Sequence, residues 1–193
     1  MKNLTFSLFI VALLLNGCVA NIPQKNVNNP QQSENLTEYT WKYLGSKIYE
    51  QQKPGLGRSE KYVTTFGWAD VYEYNLAKKW QDGVSDPLFS EHFQQVIGEI
   101  YLAERAGMYQ EVKLDHVGDE VINGVTFRHA VLHYKNQEMN VESHVYLSGV
   151  QGQLVKFRIT VKLPLKHEEK KSVARFIKER LDNLLKSNGN NFI

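Results

Sequence analysis

The side chains best able to do chemistry in this chain are histidines at alternate positions of two neighbouring strand-like segments. In Val125 to Lys135, His129 and His133 share a face with Phe127 and Val131, because successive strand residues point to opposite sides. Folding the next segment back about Asn136-Gln137 places His129 opposite His144, Val131 opposite Glu142 and His133 opposite Asn140. Opposed strand positions bring Cβ atoms within about 5.5 Å, so His129 and His144 would form a ligand pair for a tetrahedral zinc ion. Glu142 or His133 would complete that site. The plain alternative is a set of solvated side chains on a sheet surface, and neither HExxH nor CxxC spacing accompanies the histidines. The expectation is therefore no cofactor, with zinc the one metal these residues would suit.

Other reactive arrangements are poorer. Ser143 and His144 are adjacent and so point to opposite faces of a strand, while Ser90 and His92 lie outside any GxSxG elbow. Asp70, Glu73, Glu99, Asp115 and Glu142 are not fixed in pairs that would predict general acid and base roles. Trp68, Tyr72 and Tyr74 share one strand parity and could form a recognition stripe, since Tyr and Trp combine large contact area with a polar handle. The competing expectation is sheet core, although Asp70 lies on the same face. Lys156 and Arg158, expected beside the histidine face, complete the candidate binding residues. The formal net charge of +2 is too near neutral to indicate nucleic acid.

The elements that must position these residues read as an α+β fold. Gly57 to Thr65 and Trp68 to Leu76 alternate with period two and form a hairpin about Gly67. Asp86-Pro87 begins a helix whose apolar stripe is Phe89, Phe93, Val96, Ile97, Ile100 and Ala103, ended by Gly107. Strands follow at Tyr109 to Val117, Val125 to Lys135, Asn140 to Ser148 and Leu154 to Leu163, with a turn at Asn123-Gly124 and a stop at Pro164. Val173, Phe176, Ile177, Leu181, Leu184 and Leu185 then mark a C-terminal helix with Glu168 and Glu169 in its first turn. The sum is an antiparallel sheet of about six strands, with one helix inserted after the first hairpin and another packed on the sheet. Ala130, Leu132, Val141 and the Val155, Phe157, Ile159, Val161 stripe would form the core side. The histidine face would be the wetter one. Leu36 to Lys53 fits either a short helix or an edge strand.

The N-terminus carries the strongest statement about location. Leu4 to Leu15 is an apolar run of about twelve residues, too short for a helix spanning a bilayer, and follows the basic Lys2 in the manner of a secretory signal. Leu15-Asn16-Gly17-Cys18 resembles the lipobox of bacterial lipoproteins, with Asn in place of the commoner Ala or Ser. The resemblance implies cleavage before Cys18, acylation of its sulfur, and, with Val19 following, sorting to the outer membrane. Cys18 is the only cysteine, so no intramolecular disulfide can form. The division expected is a signal peptide over 1–17, lipidated Cys18 with a polar tether over 18–35, and one domain over 36–193.

Leu56-Gly57-Arg58-Ser59 with Tyr62, followed by Gly67-Trp68-Ala69-Asp70-Val71-Tyr72-Glu73-Tyr74-Asn75-Leu76, resembles a group of uncharacterised bacterial envelope proteins with a GxS start and a VYVYDLG-like strand. The order of elements is also similar to the sandwich of the photosystem extrinsic P subunit and its relatives, which are adaptors. What these resemblances imply is a periplasm-facing outer-membrane lipoprotein that binds or assembles with another envelope protein, with no catalysis. The alternative is a metal-dependent periplasmic enzyme built on the sheet histidines.

Overall fold

The computed structural model describes residues 39–189, so the expected signal peptide, Cys18 and the polar segment after it lie outside the described residues. Seven strands form one open sheet: β1 Lys42–Ile48, β2 Arg58–Thr64, β3 Gly67–Tyr74, β4 Gln110–Ile122, β5 Val125–Asn136, β6 Met139–Val150 and β7 Gln153–Lys162. Their order is β1-β2-β3-β7-β6-β5-β4, and every neighbouring pair is antiparallel. Two helices, α1 Phe89–Arg105 and α2 His167–Gly189, complete the α+β architecture among the described residues. The seventh strand is β1, which makes the core of the ambiguous Leu36 to Lys53 segment, Lys42–Ile48, an edge strand, with residues 36–38 outside the described residues.

The helices cover opposite faces. Phe89, Phe93, Val96, Ile97, Ile100 and Ala103 of α1 pack with Tyr72, Tyr74, Ala130, Leu132, Val141 and Leu154. Val173, Phe176, Ile177, Leu181 and Leu184 of α2 pack with Tyr62, Phe127, Phe157, Ile159 and Val161 on the other side. This corrects the expectation of one core side. Leu132 and Ile159 lie on opposite faces, so both faces are dry over much of their area, and the β7 stripe packs on the side that holds the histidines. Since β7 sits at the sheet centre with a helix over each face, its two parities must both be largely apolar or internally paired.

Local chemistry explains the turns. Asn123 and Gly124 both adopt positive φ, 49° and 79°, the pair that a two-residue I′ hairpin requires. β4 therefore runs on past Val117 through Gly118 to Ile122, longer than its apolar pattern suggested. The β5–β6 turn is centred on Gln137-Glu138, one position later than expected, with Asn136 opposite Met139. His129 then faces Tyr146, Val131 faces His144 and His133 faces Glu142. A shift of two in pairing preserves which residues share a face and changes only who faces whom. Asp86 still organises the start of α1, its carboxylate accepting from the Leu88 N–H at 3.0 Å, although the helix proper begins at Phe89.

Two outcomes follow for urea unfolding measured on the folded chain. Leu181 is fully buried, so Leu181→Ala should cost about 2–5 kcal/mol through the cavity it leaves. Gly57 sits at φ 62° where a methyl group would overlap the Glu73 carbonyl, so Gly57→Ala should cost more than about 1 kcal/mol. An unchanged midpoint for either variant would contradict the packing described.

Candidate functional site

On the α2 face, β4, β5 and β6 align a row of ionisable side chains. Gly118 stands opposite His129 and carries no side chain, which lets the His116 ring lie across it; a methyl at Gly118 would come within 2.8 Å of His116 Nε2. The His129 ring stacks flat on Tyr146, with ring centroids 4.0 Å apart and planes 4° from parallel. His129 Nε2 lies 3.0 Å from His144 Nδ1, and His144 Nε2 lies 2.8 Å from Glu142 Oε1. His133 Nε2 meets the other Glu142 oxygen at 3.0 Å, and His129 Nδ1 is 3.5 Å from Glu120 Oε2. The result is a continuous string from Glu120 through His129, His144 and Glu142 to His133.

The proton positions follow from charge and burial. Hydrogen bonding from His144, then from His133, holds the Glu142 carboxyl down at about 2 against the opposing effect of burial, so it is ionised and can only accept. Both imidazoles that touch it therefore present an N–H. Burial, and next the charge of His144, push His129 down to about 4, so at neutral pH it carries one ring proton to share between Glu120 and His144. Tyr146 is raised, chiefly by burial, and keeps its phenolic proton.

Beside this string a cavity of about 260 Å³ opens between the sheet and α2. Glu120, Glu142, His144 and Tyr146 form its sheet wall. Lys170, Ala174 and Lys178, four residues apart, and Val173 and Ile177 form its helix wall, so one helical face supplies both apolar surface and two ammonium groups. The cleft is thus apolar in the middle, acidic on one rim and basic on the other. Such a recess with a few convergent polar groups is the usual form of a binding site. Among the described residues no three His, Cys, Asp or Glu side chains are arranged to hold a metal ion. The imidazole nitrogens are directed at one another and at Glu142 rather than at a common centre.

The structure brings His129, His133, His144 and Glu142 together but separates the other candidates from them. Lys156 and Arg158 lie on the opposite face, under α1, correcting their placement beside the histidines. Lys156 is 3% exposed, its ammonium 4.3 Å from the centre of the Tyr72 ring and 3.9 Å from Glu99. Tyr72 and Tyr74 are buried and Trp68 is half-buried, so the aromatic stripe is packed against α1 and its loop rather than displayed. Tyr74 hydroxyl lies 2.8 Å from His92 Nε2, a ring that burial, and then the Lys156 charge, push down to about 4. His116, Glu120, Tyr146, Lys170 and Lys178 are site residues not picked out from the sequence. The Asn123-Gly124 turn would have found the first two: mirror pairing about it sets Gly118 against His129 and places His116 and Glu120 on either side.

No protein family and no curated protein matches this chain. Among solved structures it is similar to the solution structure of cyanobacterial PsbP (CyanoP) from Synechocystis sp. PCC 6803, at 9% identity and a TM-score of 0.45, over 72% of this chain and 84% of that one. That is a likeness of backbone outline alone.

Two measurements test the hydrogen-bonded string. In an NMR titration the His129 ring should change charge near pH 4 rather than near its ordinary 6.5. Because the folded value lies below the unfolded one, the native state loses stability as pH falls from about 6.5 towards 4; this slope should flatten in His129→Asn. A His129 midpoint at 6.5 would mean that the ring is neither buried nor coupled as described.

Proposed function

We propose that this protein is a lipid-anchored lipoprotein of the bacterial envelope, held at the outer membrane and facing the periplasm, whose α+β domain binds another envelope protein. The observation that carries this is Cys18, the sole cysteine, closing a lipobox-like tetrapeptide directly after a short apolar run. Several acyl chains on one sulfur hold a protein stably where a single chain is marginal, at about 0.8 kcal/mol per buried methylene. Acylation also removes the one thiol from an oxidising compartment. No helix among the described residues is long and apolar enough to cross a membrane.

The cleft between α2 and β4–β6 is the contact surface we assign to that partner. Its apolar centre would take a side chain of the partner, and its acidic and basic rims would orient flanking charges of opposite sign. Trp41 stacks on Phe176 with ring centroids 4.5 Å apart, and Ser172 on α2 donates to the Tyr39 carbonyl at 2.8 Å. Tyr39 and Trp41, the first part of the described chain, therefore lie on the α2 side, the side of the cleft. The aromatic stripe under α1 is packed, with Tyr72 and Tyr74 both buried, and so offers a partner protein little aromatic surface.

Mass spectrometry of material from native membranes should find a mature chain beginning at Cys18 with acyl groups on its sulfur, and Cys18→Ser should accumulate as unanchored precursor. An unmodified thiol or a retained leader refutes the anchoring. For the contact surface, a photo-crosslinking residue at Lys178 should give a discrete adduct in intact envelopes that is diminished in Glu142→Gln, while the same residue at half-buried Lys61, on the other face, should not give that adduct. Identical adducts from both positions would dispose of the cleft as the contact.

A further inference from the structure

A second recess lies on the other face, where α1 does not reach the β1 edge. There, cross-strand pairing puts Lys61 of β2 opposite Asp70 of β3, and Asp70 opposite Arg158 of β7, so charge alternates in sign across three adjacent strands. At the outer end of the row Lys61 pairs with Gly45 of β1. Gly45 adopts φ 142° and nothing lies within 4 Å of where its Cβ would be, so the row ends in an opening instead of a wall. The opening leads into a cavity of about 260 Å³.

The floor of this cavity is polar and built into the protein. Tyr49, Ser59, Asp70 and Tyr72 line it while exposing only 7%, 8%, 6% and 6% of their surface, and the Tyr49 and Ser59 hydroxyls are 3.2 Å apart. Lys47 and Lys61 stand at the rim. Further along the same rows β6 and β5 carry Val145 and Ala130, both buried, so the fold accommodates apolar residues on this face and does not itself require charge there.

The balance of charge names the ligand class. Asp70 is 3.7 Å from the Lys61 ammonium, and Arg158 and Lys156 act on it from the inner side. Glu99 is the other carboxylate of the group, 3.9 Å from Lys156. Lys47 and Lys61 therefore line the cavity with a single carboxylate, Asp70, on which Lys156 and Arg158 also act, so the recess holds a positive excess. We propose that this recess binds a small anionic group, a phosphate or carboxylate, between Lys47 and Lys61 at the mouth, with the Ser59 and Tyr49 hydroxyls beneath it. The group could belong to a soluble metabolite or to an anionic lipid headgroup, and the two sources share this chemistry.

The test uses the full-length chain carrying Cys18→Ser, titrated with inorganic phosphate at constant ionic strength and followed by amide NMR shifts. Saturable shifts at Gly45, Lys47 and Lys61 are expected, with a dissociation constant on the order of millimolar. Lys47→Gln should weaken binding about tenfold, and the Lys47→Gln, Lys61→Gln double variant should abolish it. Lys47 is exposed on an edge strand, so its single variant carries the result if the double variant does not fold. Vesicles of phosphatidylglycerol, compared with phosphatidylcholine, separate the sources: retention that phosphate competes away and that Lys47→Gln weakens assigns the headgroup, while phosphate binding without retention assigns a soluble ligand. Shifts that never saturate, or that are equal in the wild type and the lysine variants, overturn the site.

Discussion

The pairing of β3 with β7 is the constraint on which the rest of this molecule depends. It joins residues 67–74 to residues 154–161 across eight paired positions, and it is the sole seam between the N-terminal three-strand unit and the C-terminal four-strand meander. Every other neighbouring pair in the sheet is a hairpin between consecutive strands. The seam closes late in sequence and brings a costly long loop, so its apolar reward must be large. Ala69, Val71, Phe157 and Ile159 supply it on the α2 side, all nearly or wholly buried. Once the seam forms, β7 becomes a central strand, and each helix acquires a surface made from both halves of the chain.

The same seam creates electrostatics that neither half holds alone. Asp70 and Arg158 meet only because β3 lies beside β7, and Lys156 reaches Tyr72 for the same reason. Burying such charges is costly unless they are paired, which is why Glu99 from α1 is brought to Lys156 and Lys61 from β2 to Asp70. On the opposite face, Glu60 and Glu73 are met by Arg58, and Arg180 of α2 reaches Glu60, pinning the helix to the β2 side of the sheet. α2 thus holds the sheet through its apolar stripe and through one anchored cation, leaving the cleft on its other flank.

Much of the fold was legible in the residues. The apolar stripe of α1 matches its buried face, because 3.6-residue periodicity is a direct signature of one-sided burial, and His92 is the only buried side chain of that helix outside the expected set. The Asn123-Gly124 turn was legible because positive φ at two successive positions demands such residues. The histidines were correctly grouped on one face because alternation fixes parity. Their neighbours were not, since Asn136, Gln137 and Glu138 carry no comparable turn preference, and the centre of the hairpin moved by one position. Lys156 and Arg158 were placed on the wrong face for a different reason: nothing local ties the parity of β7 to that of β5, which is two strands away.

The sequence by itself determined every element but β1, their order, the sharing of faces within each strand and the placing of a single sulfur behind an apolar run. These follow from properties of neighbouring residues: periodicity, turn conformations and composition. Tertiary structure decided that β7 inserts between β3 and β6, that the helices lie on opposite faces, that α2 leaves a cleft beside His144, and that Lys61, Asp70 and Arg158 form one row. Strand pairing depends on backbone hydrogen bonds, which every residue but proline can make, so local composition ranks many partners as nearly equal. The choice among them falls to the burial of two whole apolar surfaces at once, and that quantity exists only when the chain has closed on itself.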